Sequence, residues 1–256
     1  MIILKKIIAK LLYILFLNPI KNIKRKFLNF TLNINPNIYR PSSDPYISGD
    51  SFRKFSDHVF DETKTINFKK IKHGDILFLK TDLIDIFFNT FHHQINEKYI
   101  LITHNSDKEI GKKESSYLDE KIIHWFAQNL SIESNNRISP LPIGLENKRY
   151  MNHVNYSVFR KDNFQTMEKI KIMSSINPNT NEERKNMLTI FEKNNKVNNK
   201  IFNNYKNYLL NLSKHHFNLC PSGNGLDTHR FWETLLLGVV PIVVLNNHTE
   251  NFKKLG

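Results

Sequence analysis

The residues best suited to chemistry lie near the carboxyl end of the 256-residue chain, in the glycine turn 221–225 and the helix predicted after it. Backbone N–H groups at a helix start attract anions, and an arginine beside them donates paired hydrogen bonds to phosphate. Arg230 has that position, and Glu233, one turn later, can accept hydrogen bonds from the hydroxyl groups of a ribose. The pattern predicts a nucleoside diphosphate site. A solvated Arg–Glu pair beside an ordinary turn is the alternative, since one G-x-G is a weak signal.

A second arginine is a candidate for the same site. Arg184 lies in the first turn of a helix predicted to begin at Thr180, which has the spacing of a capping box with Glu183. If the loop before that helix faces the same cleft, Arg184 is a second diphosphate contact; otherwise it is a surface charge. The predicted binding residues are Gly223, Asn224, Gly225, Asp227, Thr228, His229, Arg230, Glu233 and Arg184.

A different group of polar residues follows the apolar strand predicted at Tyr99–Thr103. Open α/β sheets bind ligands beyond the carboxyl ends of their strands, so the tetrad 104–107 is the best candidate site in the first half of the chain. His104 or Asp107 could act there as the base that takes a proton from a hydroxyl group. Asp50 is a third catalytic candidate. A turn that caps the next element is the alternative for the tetrad, and helix capping is the alternative for Asp50.

The elements around the glycine turn form one predicted β-α-β unit. Phe217–Cys220 is a short apolar strand, Asp227 or Thr228 can cap the helix, Gly238 stops it, and Val239–Leu245 is a β-branched strand. Four apolar side chains of the helix are expected to pack inward: Phe231, Trp232, Leu235 and Leu236.

Elsewhere the patterns predict an α/β protein. Strands are expected at Gly74–Leu79, Tyr99–Thr103 and Lys169–Met173, and a β-type stretch at Ile138–Glu146. Helical spacing predicts helices at 52–61 and at Ile122–Leu130, in which Trp125 is expected to belong to the core. Leu83–Phe91 fits a helix or a strand, and the Asn- and Lys-rich segment 193–206 is expected to be solvated. Asn33–Pro45 is a predicted linker.

The string PSGNGLDTHRFWETLLLGVVPIV resembles the donor-binding signature of the exostosin-like glycosyltransferases. That family has the GT-B fold of two Rossmann domains and uses nucleotide sugars. Five earlier stretches are similar to pieces of the same family in the same order: Tyr46–Glu62, Tyr99–Asp107, Ile122–Asn129, Pro140–Asn147 and Thr180–Arg184. The resemblance therefore spans the chain from about Tyr46 onward, and its last motif is the most specific.

The resemblance implies two Rossmann-like domains of the GT-B type. Residues 46–150 would form the acceptor-side domain and residues 151–256 the nucleotide-sugar-binding domain, after an N-terminal segment and linker at 1–45. Family members normally continue beyond the point that corresponds to Gly256, so the second domain is expected to be incomplete. The implied activity is transfer of a sugar from a nucleoside-diphosphate sugar to a glycan, lipid-linked or other hydroxyl acceptor in surface polysaccharide synthesis. A catalytically inactive or truncated sugar-nucleotide-binding protein is the alternative.

The absence of several motifs favours a metal-independent mechanism. The sequence contains no D-x-D triplet and no H-E-x-x-H, and its adjacent histidine pairs at 92–93 and 215–216 point apart on a strand or helix. We expect no metal site, and no cofactor besides the sugar donor as co-substrate. Cys220 is the single cysteine, and its apolar surroundings predict a buried structural thiol.

The basic charge is concentrated at the amino terminus. Of a net charge of +13, residues 1–26 contribute +7 without any acidic residue. Ile7–Leu17 is apolar but too short to span a bilayer, which favours a basic amphipathic helix on a membrane surface, through residues 1–30, in the cytoplasm. A signal anchor or a packing helix are the alternatives. A nucleic-acid-binding protein is a third functional hypothesis; we expect no nucleic-acid partner, because no recognition motif is present.

Overall fold

A computed structural model of the protein describes residues 35, 37–150, 159, 170–193, 197 and 199–255. The predicted N-terminal helix and most of the predicted domain boundary lie outside these residues. The described chain forms a five-stranded parallel sheet and a second, three-stranded parallel sheet. The predicted α/β class is confirmed, and both sheets are compatible with Rossmann-like domains. No helix in these ranges has the length and apolar character needed to cross a membrane.

The elements follow one another in an alternating order. The first part contains α1 (Gly49–Phe55), β1 (His58–Phe60), β2 (Ile76–Lys80), β3 (Tyr99–His104), α2 (Lys112–Ser115), β4 (Ile122–Ala127) and β5 (Ile138–Pro140). The second part contains β6 (Ile170–Met173), α3 (Glu182–Lys193), α4 (Tyr205–Leu212), β7 (His215–Leu219), α5 (His229–Leu236), β8 (Val240–Ile242) and α6 (Asn247–Lys253). Segment 81–94 is helical throughout and passes through 3-10, α and π geometry.

The strands of the first sheet lie side by side in sequence order, β1-β2-β3-β4-β5. Rossmann sheets bind ligands where the strand order reverses, and the described strands contain no such reversal. All five strands are parallel, however, so their carboxyl ends meet at one edge of the sheet. The loops after β3, β4 and β5 therefore lie together at that edge, where the predicted tetrad 104–107 is found.

The core explains why the central strands form. β2 and β3 are continuous apolar runs, as expected for parallel strands covered on both faces. Trp125 is fully buried on one face, and its Nε1–H donates a hydrogen bond to Thr103 Oγ1 at 2.8 Å. Its predicted place in the core is confirmed.

In the first half one predicted helix is wrong and another is correct only in part. Ile122–Leu130 contains strand β4, which pairs with β3 on one side and β5 on the other. Ile122 and Ile123 are β-branched, and pairing on both sides outweighs helical spacing. The predicted helix at 52–61 ends at Phe55 in α1 and is followed by the edge strand β1. Leu83–Phe91, for which the sequence allowed both forms, is helical.

In the second part, the predicted β-α-β unit is present as β7, α5 and β8. Gly238 has a left-handed φ of 69° just after α5 and ends that helix. The predicted inward packing of α5 is wrong for Leu235 and Leu236, which are 46% and 44% exposed, whereas Phe231 and Trp232 are half-buried and Glu233 and Thr234 are buried. A polar contact accounts for this orientation of α5, because Asn218 Nδ2 on β7 donates a hydrogen bond to Thr234 Oγ1 at 2.8 Å.

The predicted Thr180–Glu183 capping box is also wrong. Asn181 caps α3 instead, since its Oδ1 accepts a hydrogen bond from the Arg184 N–H at 2.9 Å. Glu183 Oε1 accepts from both the N–H and the hydroxyl of Ser222, at 2.7 and 3.0 Å. The start of α3 is thereby tied to the glycine turn.

Helix α6 joins the second part to the first. Asn251 Nδ2 donates to the Ile132 carbonyl at 2.8 Å, and its Oδ1 accepts from the Ser134 N–H at 2.9 Å. Asn247 Nδ2 donates to the Ser131 carbonyl at 2.9 Å. These bonds hold the loop after β4 against α6, at one end of the contact between the two sheets.

Gly144, in the loop after β5, is expected to tolerate no side chain. Its φ is +68°, and a Cβ there would overlap the Ile47 carbonyl oxygen, which also accepts the Leu145 N–H at 2.9 Å. Gly144→Ala should lower the free energy of unfolding by about 2 to 4 kcal/mol in urea denaturation. Gly74→Ala is the matched control, because Gly74 is left-handed but has nothing within 4 Å, and should cost only about 1 kcal/mol. Equal losses of unfolding free energy in the two variants would contradict the close approach of Gly144 to the Ile47 carbonyl.

Candidate functional site

All nine predicted binding residues line one cleft of about 750 Å³ between the two parts of the chain. The wall from the second part carries Gly223, Asn224, Gly225, Asp227, Thr228, His229, Arg230, Glu233 and Arg184. The first part contributes Asp107, Ile143 and Glu146. The loop before α3 thus faces the same cleft as the glycine turn, which was the condition for Arg184 to belong to the site. Binding itself stays a prediction.

The two arginines of the cleft are held by backbone oxygens rather than by acids. Arg184 Nε donates to the Ser222 carbonyl and Arg230 Nη2 to the Ser175 carbonyl, both at 2.7 Å. Arg230 Nε is buried without a hydrogen-bond partner. Within the described ranges, no carboxylate lies within ion-pair distance of either guanidinium. Burial and the neighbouring Arg230 charge lower the pKa of Arg184. Among the described residues neither arginine forms an ion pair, although Glu183 acts electrostatically on Arg184 and Glu233 on Arg230 from a longer distance.

Helix α5 brings further donors to this cleft. The Gly223 N–H is used inside the turn, where it donates to the Gly225 carbonyl at 2.9 Å. In the first turn of α5 the Phe231 N–H donates to the Thr228 carbonyl at 3.1 Å, which leaves the N–H groups of His229 and Arg230 without a partner within the helix, as at any helix start. Thr228 occupies the N-cap position but its side chain makes no capping hydrogen bond. Together with the arginines, this helix start makes an anion-binding arrangement.

Glu233 is 5% exposed, and burial raises the pKa of its carboxyl group. The Tyr205 hydroxyl donates to Glu233 Oε1 at 2.6 Å, and Tyr205 and Tyr208 both line the cleft. The prediction that 193–206 is solvated is wrong for Tyr205, which is half-buried. Tyrosines three residues apart within the Asn- and Lys-rich stretch were the signal that could have identified this wall.

Asp227 and His229 line the cleft but are committed to contacts with other parts of the chain. Asp227 Oδ2 accepts from the Ile143 N–H at 2.7 Å, and its two oxygens accept from Trp232 Nε1–H at 2.9 and 3.0 Å. His229 Nδ1 lies 2.8 Å from the Gly144 carbonyl oxygen, to which it must donate. Both residues join α5 to the loop after β5, so they shape the cleft.

A second cleft of about 450 Å³ adjoins the first at the edge of the five-stranded sheet. The two clefts share Asp107, Ile143, Glu146 and His229. Asp107 is exposed, and its carboxylate has no hydrogen bond or ion pair to any other residue that the structure describes. A carboxylate at the junction of two clefts can accept a proton from a hydroxyl group bound in one of them.

His104 lines the second cleft but offers no free nitrogen. It is 1% exposed; its Nδ1 accepts the Asn105 N–H at 2.7 Å, and its Nε2–H donates to the Pro142 carbonyl at 3.1 Å. Burial lowers the pKa of His104 to about 4. A buried nitrogen whose lone pair already accepts a hydrogen bond takes a proton only at low pH, so the geometry favours Asp107 over His104 as the base.

The pKa of His104 predicts a pH dependence of stability. The unfolded histidine has a pKa of about 6.5, so the unfolded chain binds this proton first as the pH falls. The free energy of unfolding should therefore fall between about pH 6.5 and 4, by up to about 3 kcal/mol from this residue. His104→Gln keeps an amide donor and acceptor and should flatten the dependence in urea titrations across this range. An unchanged slope would contradict the assignment.

Asp50 is placed outside the lining of both clefts. It is fully buried, and its Oδ1 forms an ion pair with Arg40 Nη2 at 2.6 Å and accepts from Asn105 Nδ2 at 3.2 Å. The predicted linker supplies Arg40, which also contacts Glu62. Asp50 neutralises this buried cation and supports the loop after β3, and its position does not favour the predicted catalytic role.

Other reactive side chains are structural. Cys220 is 4% exposed and burial raises its pKa to about 12, so its predicted role as a buried thiol is confirmed. His92 Nε2 pairs with Asp119 at 2.8 Å, and His215 Nδ1 bonds the Asn211 carbonyl at 2.7 Å. In the described part of the chain, no group of three or more His, Cys, Asp or Glu side chains is arranged to hold a metal ion.

No protein-family model and no curated protein sequence matches this chain. The function of the chain is therefore inferred from the geometry of the two clefts and from the motif resemblance.

Proposed function

We propose that the protein is a nucleotide-sugar-dependent glycosyltransferase of the GT-B type, related to the exostosin-like enzymes. Residues 46–150 form its acceptor domain and residues 151–256 its donor domain. The observation that carries the proposal is the pair Arg184 and Arg230, which form no ion pair with any described residue and lie beside a glycine turn and a helix start in one cleft. A diphosphate matches two guanidinium groups and the backbone N–H groups at a helix start.

The donor occupies the larger cleft. The diphosphate lies against Arg184, Arg230 and the first turn of α5, and Glu233 accepts hydrogen bonds from the ribose hydroxyls. As the bond between sugar and diphosphate breaks, negative charge grows on the leaving phosphate. Fixed donors aimed at that charge lower the barrier without a metal ion.

The acceptor occupies the smaller cleft, with its hydroxyl group at the junction. Asp107 takes the proton of that hydroxyl as its oxygen attacks the anomeric carbon. The nucleoside diphosphate leaves with the electron pair of the broken bond. The acceptor belongs to the class of glycans, lipid-linked or free, and the role is in surface polysaccharide synthesis.

The proposal is tested by adding uridine and guanosine diphosphates to the purified protein. At least one should raise the melting temperature, since ligands that bind the folded state stabilise it. The same base carried by a sugar nucleotide should then be consumed, by transfer to added oligosaccharide or by slow hydrolysis. No shift with either diphosphate would contradict the proposal.

Binding without transfer or hydrolysis would favour the second candidate, a sugar-nucleotide-binding protein that does no chemistry. Because both nitrogens of His104 are hydrogen-bonded, the enzymatic activity depends on Asp107 alone as the base. Asp107→Asn separates the two cases. The substitution would abolish turnover if the protein is an enzyme. If the protein only binds the sugar nucleotide, its affinity for that ligand would stay unchanged.

We further propose that residues 1–30 attach the protein peripherally to the cytoplasmic face of a membrane. Seven basic residues and the apolar run Ile7–Leu17 support this, because basic amphipathic segments bind anionic lipid surfaces. Deleting residues 1–30 should abolish sedimentation with vesicles containing anionic phosphatidylserine at low salt. Retained sedimentation would contradict the proposal, and salt-dependent DNA binding by the truncated chain would favour the nucleic-acid hypothesis.

A further inference from the structure

One asparagine lies between the two parts of the proposed active site. Asn129, in the loop after β4, is completely buried and has a left-handed φ of 54°. Its Nδ2 donates to the Ser106 carbonyl at 3.0 Å, in the loop that carries Asp107. Its Oδ1 accepts from the Asp227 N–H at 2.9 Å, beside the glycine turn. One amide group therefore bonds both loops.

The glycine turn is packed directly against this side chain. A Cβ on Gly225 would lie 2.8 Å from Asn129 Nδ2, closer than real side-chain contacts allow. Gly225 is thus the residue that permits the close approach. The turn cannot move toward the first sheet without displacing Asn129.

The neighbouring residue holds the same loop. Gln128 is 1% exposed, and its Oε1 accepts from the Asn105 N–H at 2.9 Å, a donor that it shares with His104 Nδ1. Residues 128 and 129 thereby bond both ends of the short loop 105–106. The Gln128 and Asn129 side chains are themselves buried, so water competes little for their amide groups.

We propose that Asn129 is a positioning residue that couples the glycine turn to the loop bearing Asp107. When a diphosphate fixes the turn, Asn129 transmits that order to the base across the cleft. Asparagine suits the task because its amide has both a donor and an acceptor, and it tolerates left-handed backbone better than most residues. The inference rests on the proposed function, since it requires a nucleoside diphosphate in the larger cleft.

Amide hydrogen exchange measured by mass spectrometry tests this coupling. With saturating uridine or guanosine diphosphate, exchange in wild type should slow at 221–230, where the ligand binds, and also at 104–110, where it does not. Asn129→Asp keeps the acceptor for Asp227 but loses the donor to Ser106. This variant should keep the ligand-induced protection at 221–230. Its ligand-induced protection at 104–110 should be about fivefold smaller than in wild type, the effect of losing one hydrogen bond.

Asn247→Asp is the matched control, because that amide also donates to a carbonyl between the two parts, to Ser131 at 2.9 Å. It should keep ligand-induced protection at both segments. If Asn129→Asp does not fold, Asn129→Gly, which removes both bonds and relieves the left-handed backbone, takes its place and should uncouple the two segments.

The outcomes separate the two proposals. Protection at 221–230 alone in wild type, or undiminished protection of both segments in the Asn129 variant that is measured, overturns the coupling and leaves the proposed function standing. No response at 221–230 to either diphosphate overturns the proposed function and the coupling together.

Discussion

Replacing Arg230 with alanine is expected to weaken binding of the nucleoside diphosphate by about 10- to 100-fold, the loss of charge-assisted hydrogen bonds to a phosphate. The expectation follows from the unpartnered Nε of this guanidinium and from the absence of a paired acid in the described residues. Isothermal titration with the diphosphate that stabilises wild type gives the ratio of dissociation constants.

Two further variants make this measurement specific. Arg230→Lys keeps the charge but loses the planar fork, so it should recover only part of the affinity. Lys185→Ala removes an exposed cation next to Arg184 that pairs with Glu182 at 3.9 Å, and should change affinity by less than about twofold. An affinity that is equal in wild type and Arg230→Ala would place the diphosphate elsewhere.

Asp107→Asn should reduce kcat by about 10²- to 10⁴-fold, the usual contribution of a positioned base. The substitution keeps the size of the side chain but removes its ability to take a proton. Because Asp107 lies at the junction of the clefts, opposite the arginines, affinity for the diphosphate should change by less than about threefold. Initial rates at saturating donor and acceptor provide kcat, and titration of the same preparations provides the affinity.

Glu109→Gln is the control for Asp107→Asn. Glu109 is an exposed carboxylate of the same loop that lines neither cleft. It should retain at least half of the wild-type rate. Equal losses in both variants would indicate a general effect of loop charge rather than a base at position 107.

The sequence predicts the β-α-β unit of the second part well, because its signals are local. Gly238 must be left-handed where the helix ends, and the β-branched run after it favours a strand. The carboxyl end of β3 is equally predictable, since Tyr99–Thr103 is a continuous apolar run followed by polar residues. These local patterns place the glycine turn, Arg230 and Asp107 at element ends.

The remaining parts of the site depend on partners far apart in sequence. Tyr205 meets Glu233 across 28 positions, and Asn129 meets Asp227 across 98. No period or spacing indicates such pairs, because tertiary packing determines them. The burial of Asp50 also depends on tertiary packing, because its partner Arg40 lies in a segment whose composition predicts a linker.

Helix α5 shows how polar contacts can override an apolar pattern. Its hydrophobic residues predict an inward face, yet Glu233 and Thr234 are the buried ones. Thr234 bonds Asn218 on β7, and Glu233 bonds Tyr205. These hydrogen bonds hold the polar face of α5 against the sheet and the cleft, so that the two leucines face outward. Sequence periodicity does not reveal such contacts.

The most direct test of the central claim is the structure of the protein crystallised with the diphosphate that raises its melting temperature. We expect density for the two phosphates within hydrogen-bond distance of Arg184, Arg230 and the first-turn N–H groups of α5, with the ribose beside Glu233. Density for the diphosphate at any other surface, with this cleft empty, would contradict the account.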